Sequence, residues 1–276
     1  MDIANIRGIF FDLHGTIMLS PDLSAAWERW SAALHTSMAK RGLSISKEEF
    51  VPHLELFFES PEPGSWDDGL SLYERRLEDL GCRLGLDLDR ETIRGMVTYT
   101  IEAWYSDMYV DPEAHGVLEA LKSRFKTGLI TNWDHAPSIY RILADYKLEG
   151  YFETVVVSDE VGVAKPDPRI FDIALRDAGL RPEEVAYVGD APEDVEGSLA
   201  AGLHPILVRR KDEAWDTDPP GIHSRPFDET LLELNSIQVI TRLRTLLKIF
   251  RLETRTNRDT SRMSRGTAQS EDRDSP

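Results

Sequence analysis

The stretch FFDLHGTI, residues 10–17, decides how this chain is read. An apolar run ends in the carboxylate of Asp12, and Gly15 with Thr16 then turns the chain. That pattern predicts a buried strand handing an acid to a loop at its carboxyl end, where open parallel sheets hold their ligands. His14 stands between the acid and the turn, so an imidazole lies beside whatever Asp12 does.

Working outward, the apolar run spans residues 6–13, and further short β-prone runs follow at 127–130, 154–158, 185–188 and 205–208. Helix-like patterns separate the later ones. The alternation predicts an α/β fold, a Rossmann-like parallel sheet sandwiched by helices. Far more chain separates the first two runs than the dozen or so residues a crossover needs, so a segment is inserted there. Within it Leu23, Trp27, Trp30, Leu34 and Met38 share one helical stripe. Leu70, Tyr73, Leu77 and Leu80, then Ile93, Val97, Ile101 and Trp104, repeat the spacing. Residues 18–112 therefore read as an all-helical cap, with Trp27 and Trp30 in its core and the Pro- and Gly-rich residues 59–69 as a connecting loop. The core is expected over 1–17 and 113–250, closed by a last helix at 237–250. From 251 to 276 large apolar residues all but vanish, which predicts a disordered tail.

Forty-nine acidic against 32 basic side chains give a formal net charge of −17. Such a surface disfavours nucleic acid and anionic lipid as partners, and an anionic substrate would need a local cation. No apolar run is long enough to span a membrane. A single cysteine, Cys82, and the lack of a basic-then-apolar start predict a reducing, cytoplasmic setting.

Four fragments fall at or near strand ends: Asp12 with Thr16, Thr131 with Asn132 in LITNWD, Lys165 in VGVAKPDP, and Asp190 with Asp194 in YVGDAPEDVEG. Singly, each reads as a helix cap, a turn or a solvated lysine. Together, in this order, they converge on one crevice and suit phosphoryl transfer. Asp12 can attack phosphorus, Lys165 can counter charge on the phosphoryl oxygens, and the Thr131 hydroxyl and nearby N–H groups can donate to them. Three carboxylates in one crevice call for a cation, and Mg²⁺ favours such oxygen ligands.

Over residues 6 to about 210 the chain is similar to the haloacid dehalogenase superfamily of hydrolases, in its large branch with a helical cap between the first and second motifs. The first motif, the threonine, the KPDP lysine and the GDAPED acids match in order. The resemblance implies Asp12 as nucleophile, Thr131 and Lys165 as phosphoryl-holding groups, Asp12 and Asp190 as metal ligands, and Asp194 as a ligand directly or through water. Asn132 joins Thr131 as a substrate-binding residue. In the family's phosphatases the position of His14 is usually a second aspartate, which protonates the leaving alcohol and then activates water, while its backbone carbonyl binds the metal. An imidazole, with an ordinary pKa of about 6.5, can do both proton transfers. A misplaced one would lose roughly 10² to 10⁴ in rate, least for esters whose leaving groups need little protonation. His14 is thus either a substitute acid/base or an impairment.

The expectation is a Mg²⁺-dependent phosphomonoester hydrolase acting on a small phosphorylated metabolite. Two alternatives stay open: a metal-free 2-haloacid dehalogenase, favoured by His14 and opposed by Asp190 and Asp194, and a catalytically impaired binding protein. Of the other histidines only His135, close after Asn132, is placed near the crevice.

Overall fold

The strands, in chain order, are Gly8–Phe11 (β1), Met18–Leu19 (β2), Tyr109–Val110 (β3), Lys126–Thr131 (β4), Thr154–Val157 (β5), Val185–Gly189 (β6), His204–Val208 (β7) and Gln238–Ile240 (β8). The structure is a computed structural model, and it describes residues 2–55, 57–58, 69–210, 230 and 237–252. Six strands form one parallel sheet in the order β5-β4-β1-β6-β7-β8. β1 is central and all four of its residues are buried. Successive side chains point to opposite faces, so Ile9 and Phe11 enter one apolar core while Phe10 enters another with Phe171 and Tyr187. This two-sided burial is why the strand reads as an unbroken apolar run.

From β1 the chain builds β4 and β5 on one side, then crosses to β6 and β7 on the other. The order therefore reverses at β1, and the carboxyl ends of the strands flank a crevice there.

The helices that follow the first strands are Leu23–Ala39 (α1), Lys47–Phe50 (α2), Leu72–Arg83 (α3) and Arg90–Tyr105 (α4). Asp22, Ser46, Ser71 and Asp89 each accept a hydrogen bond from a first-turn N–H, which fixes where these helices start. α1 packs along α4. Trp27 and Trp30 are buried, as their stripe predicts, and the Trp30 Nε1–H donates to the Tyr73 hydroxyl at 2.7 Å.

Residues 18–112, expected to be helical throughout, begin and end in strand. β2 and β3 pair antiparallel, because the two crossings between sheet and insert run side by side and satisfy each other's backbone groups. The expected loop at 59–69 falls almost wholly outside the described residues.

The remaining helices are Ala114–Lys122 (α5), Ala136–Asp145 (α6), Ser158–Val161 (α7), Pro168–Ala178 (α8), Pro192–Ala200 (α9) and Thr245–Ile249 (α10). One helix over 237–250 is corrected: residues 238–240 are the strand β8, and only 245–249 are α-helical. The free edge of β7 supplies unpaired backbone groups, and pairing with them outweighs the helical spacing of so short an apolar segment. The expected tail also begins late. Arg251 takes a left-handed φ of 55°, and the Leu252 N–H donates to the Leu247 carbonyl at 2.7 Å, closing the end of α10. Residues 253–276 lie outside the described residues.

The insert is fastened to the sheet domain at helix starts. One Asp159 carboxylate oxygen accepts from the Leu72 N–H at the start of α3 at 2.7 Å, and the other from the Ala136 N–H of α6 at 2.9 Å. Beside it the Asp134 carbonyl accepts from the Tyr73 N–H at 2.7 Å, and the Asp134 carboxylate from the Arg76 Nε–H at 2.8 Å. Among the described residues no helix is long and apolar enough to cross a membrane.

Candidate active site

Asp12 leaves β1 at the centre of the sheet and is 6% exposed. The buried Lys165, 153 residues away, places its ammonium 2.5 Å from one Asp12 oxygen and 2.7 Å from an Asp194 oxygen. The same nitrogen reaches the Tyr187 hydroxyl at 3.1 Å and the Ile130 carbonyl at 3.2 Å. Burial alone would push the lysine down; Asp12 and Asp194 outweigh it and hold its pKa above the ordinary range. Burial pushes the Asp12 carboxyl up, Lys165 opposes that shift, and Asp194 adds to it.

Asp190 lies on the loop after β6, and its carboxylate accepts from the Thr16 hydroxyl at 2.6 Å. Gly15 makes room for it. That residue has φ +79°, and a β-carbon there would fall 2.1 Å from an Asp190 oxygen, so any side chain would strain the backbone and displace that carboxylate. Asp194 is held from four directions. One oxygen takes Lys165 and, at 3.1 Å, the Tyr187 hydroxyl; the other accepts from the Asp190 and Ala191 N–H groups at 3.0 and 2.9 Å.

Oxygens of Asp12, Asp190 and Asp194 lie within 4.8 Å of one another. Three carboxylates against one ammonium leave two negative charges uncompensated in a largely buried space, which a divalent cation would balance. The donor set thus fits Mg²⁺. Asp12 and Asp190 are the more available ligands, since Asp194 spends its oxygens on the lysine and the β6–α9 backbone.

Thr131, at the end of β4, is fully buried, and its hydroxyl has no hydrogen-bond partner among the described residues. Its neighbour Asn132 is engaged differently from the sequence expectation. The Asn132 amide donates to the Lys165 carbonyl at 2.9 Å and its oxygen accepts from the Lys165 N–H at 2.8 Å, so the carboxamide clasps the lysine's backbone.

The His14 ring stacks on Trp133 with centroids 4.6 Å apart, and its Nε2 meets the hydroxyl of Tyr105, at the end of α4. Burial, then the Lys165 ammonium, pushes its pKa down to about 3, so the ring is uncharged at neutral pH. Trp133 is itself fixed, its N–H donating to Ser158 and its Nε1–H to Ser138, both at 2.9 Å. His135 lies at the start of α6, its Nδ1 buried without a partner among the described residues.

Four contributors escape the sequence reading. Tyr187 looks like one more apolar position of β6, and Trp133, though directly after Asn132, looks like core. Tyr105 shows no signal, lying just past Trp104, the last residue of its helix's apolar stripe. Arg210, just past β7, donates to the carbonyls of Gly15 and, at 2.8 Å, Thr16, and pairs with Asp111 at 2.8 Å. It thereby ties the loop after Asp12 to the segment where the chain returns from the insert.

The family described as haloacid dehalogenase-like hydrolase matches residues 6–202. The chain is 30% identical over 207 residues to a glyceraldehyde 3-phosphate phosphatase of Methanopyrus kandleri, a match covering 74% of this chain and 84% of that one. It is 29% identical over 199 residues to a phosphoglycolate phosphatase of Yersinia pestis, covering 71% and 78%. Among solved structures, a 2-haloacid dehalogenase from Pseudomonas syringae aligns with a TM-score of 0.60 at 25% identity, covering 89% and 98%.

Proposed function

The chain belongs to the haloacid dehalogenase-like hydrolases, and from that premise we propose that it is a Mg²⁺-dependent phosphomonoester hydrolase working through an aspartyl-phosphate intermediate. The substrate is a small phosphorylated metabolite, and residues 18–112 act as a cap that selects it and excludes water. The relatives named as phosphatases support the reaction class. The observation that carries it is the buried ammonium of Lys165 bridging Asp12 and Asp194 at 2.5 and 2.7 Å, together with a buried Thr131 hydroxyl that has no partner among the described residues.

Asp12 and Asp190 would hold the cation, with Asp194 reaching it through water. Bound there, Mg²⁺ supplies the positive charge that lets a carboxylate approach a phosphate dianion. Lys165 and Thr131 hold the phosphoryl oxygens while an Asp12 oxygen bonds to phosphorus and the ester P–O bond breaks, releasing the alcohol. In the second half a water oxygen bonds to phosphorus, the Asp12–phosphorus bond breaks, and Asp12 leaves as carboxylate. His14 takes the water's proton; the burial that keeps its ring uncharged at neutral pH also makes it a weak base, so this half of the reaction is the slow one. The ring is a poor donor to a leaving alcohol, so esters whose leaving groups need little protonation are the better substrates.

A screen of phosphate esters with and without Mg²⁺, reading phosphate and halide together, tests the reading. Phosphate release that needs Mg²⁺ and vanishes in Asp12→Asn is expected. A dehalogenase reading keeps two supports, the absence of aspartate at position 14 and the likeness to the Pseudomonas syringae structure. Halide release from a 2-haloacid without metal would establish it instead.

A further inference from the structure

The loop after Asp12 is held from outside by one guanidinium. Arg210 donates from one terminal nitrogen to the Gly15 carbonyl and from the other to the Thr16 carbonyl at 2.8 Å. The second nitrogen also pairs with the Asp111 carboxylate at 2.8 Å, and the two side chains are only 14% and 8% exposed. Asp111 is fixed in turn, because its N–H donates to the Ile17 carbonyl and its other oxygen accepts from the Glu113 N–H, both at 2.8 Å. Within the loop the Ile17 and Met18 N–H groups both donate to the Leu13 carbonyl, at 2.9 and 2.7 Å. The residue enclosed by these bonds is Thr16, fully buried, whose hydroxyl donates to Asp190 at 2.6 Å.

We propose that Arg210 is a positioning residue for the cation site: by fixing the backbone on both sides of Thr16 it sets the Thr16 hydroxyl against Asp190, and so tightens the binding of Mg²⁺. The inference rests on the reading above that Asp12 and Asp190 hold that ion. The Gly15 carbonyl belongs to the peptide plane before the Thr16 α-carbon and the Thr16 carbonyl to the plane after it, so a donor on each fixes both soft dihedrals of that residue. With φ and ψ set, the direction of the hydroxyl is set as well. A guanidinium suits the task, because its donors lie in one rigid plane and serve both carbonyls and Asp111 together. A carboxylate oriented before the metal arrives loses less freedom on binding it, which is why groups that hold a ligand in place raise metal affinity without touching the ion. Arg210 acts in this way through Thr16, from a strand end that carries no group of the site itself.

Calorimetric titration of the full chain with MgCl₂, with no phosphate ester present, reads that affinity without turnover. Arg210→Gln is expected to raise the Mg²⁺ Kd about 10- to 100-fold, the usual loss when a group that orients a metal ligand is removed. Thr16→Val leaves both carbonyls to Arg210 and removes only the hydroxyl; it should raise the Kd to the same extent, and Arg210→Gln added to it should do nothing further. Arg210→Lys keeps a cation beside Asp111 but gives up the planar fork, and a loss between the two is expected. A thermal melt without Mg²⁺ reports whether each variant is folded, and should Arg210→Gln fail to fold, Arg210→Lys and Thr16→Val decide the matter. A lowered midpoint with an unchanged Kd would make Arg210 a stabilising residue only and overturn the inference. So would an unchanged Kd in Thr16→Val, or losses that add in the double variant. If the unaltered protein binds no Mg²⁺, the reading beneath the inference fails and takes it along; tight binding by the unaltered protein and equally tight binding by the variants sinks the inference alone.

Discussion

A buried hydroxyl without a partner costs about 1–3 kcal/mol, and Thr131 carries one at the end of β4. Replacing it with valine keeps the shape and removes the orphan. Thr131→Val is expected to leave the thermal midpoint unchanged or slightly raised while kcat/KM for a phosphate ester falls tenfold or more, roughly one hydrogen bond to a charged group. A lowered midpoint with unchanged kinetics would make Thr131 a packing residue only. Asp12, Thr131 and Asp190 could be read from sequence because each ends or directly follows an apolar strand, and Lys165 because it lies in the segment after another, and strands of a parallel sheet present their carboxyl ends together. Asn132 was legible as a neighbour of the site, but not the direction of its carboxamide. That depended on the Lys165 backbone 33 residues on lying within 2.9 Å. For His14 the sequence supplies only an imidazole of ordinary pKa; burial lowers it, and burial is a property of the packed state.

At the level of elements, Asp159 accepts from the first N–H of two helices at once, α3 of the insert and α6 of the sheet domain. Each of these hydrogen bonds is worth about 1 kcal/mol, so Asp159→Ala should cost about 2 kcal/mol, measured by urea denaturation. Because the loss unfastens α3, kcat should drop as well; a change in stability with turnover intact would show that this contact does not set the insert's position. The helices that Ser71 and Asp89 cap lie where the spacings of Leu70 to Leu80 and of Ile93 to Trp104 put them. β2, β3 and β8 were not visible: each is two or three residues long and exists only because a partner strand offers unpaired backbone groups. Arg210 belongs to the same class. It holds the Gly15–Thr16 carbonyls and Asp111 together from a loop that sequence marks merely as the end of a strand.

Across the whole molecule, three acids from two regions of the chain crowd one another with a single lysine between two of them, an excess of charge that a cation would relieve. Mg²⁺ should therefore stabilise the protein, by about 2.7 kcal/mol at a concentration a hundred times its Kd. Asp190→Asn should abolish that gain in a thermal melt, and a Mg²⁺-induced rise that survives the substitution would place the ion elsewhere. The formal charge of −17 disfavours anionic partners in general, which makes the buried Lys165 the local positive charge of this crevice. By itself the sequence determined the parallel sheet, the helical insert and the order of the acids, because hydrophobic periodicity and strand-end placement are local properties that survive in a single chain of letters. Only the tertiary structure decided that Tyr105 meets His14, that Asp194 is occupied by Lys165, and that Asn132 serves the lysine, because contacts between side chains scores of residues apart are selected by packing and desolvation, which no local pattern encodes.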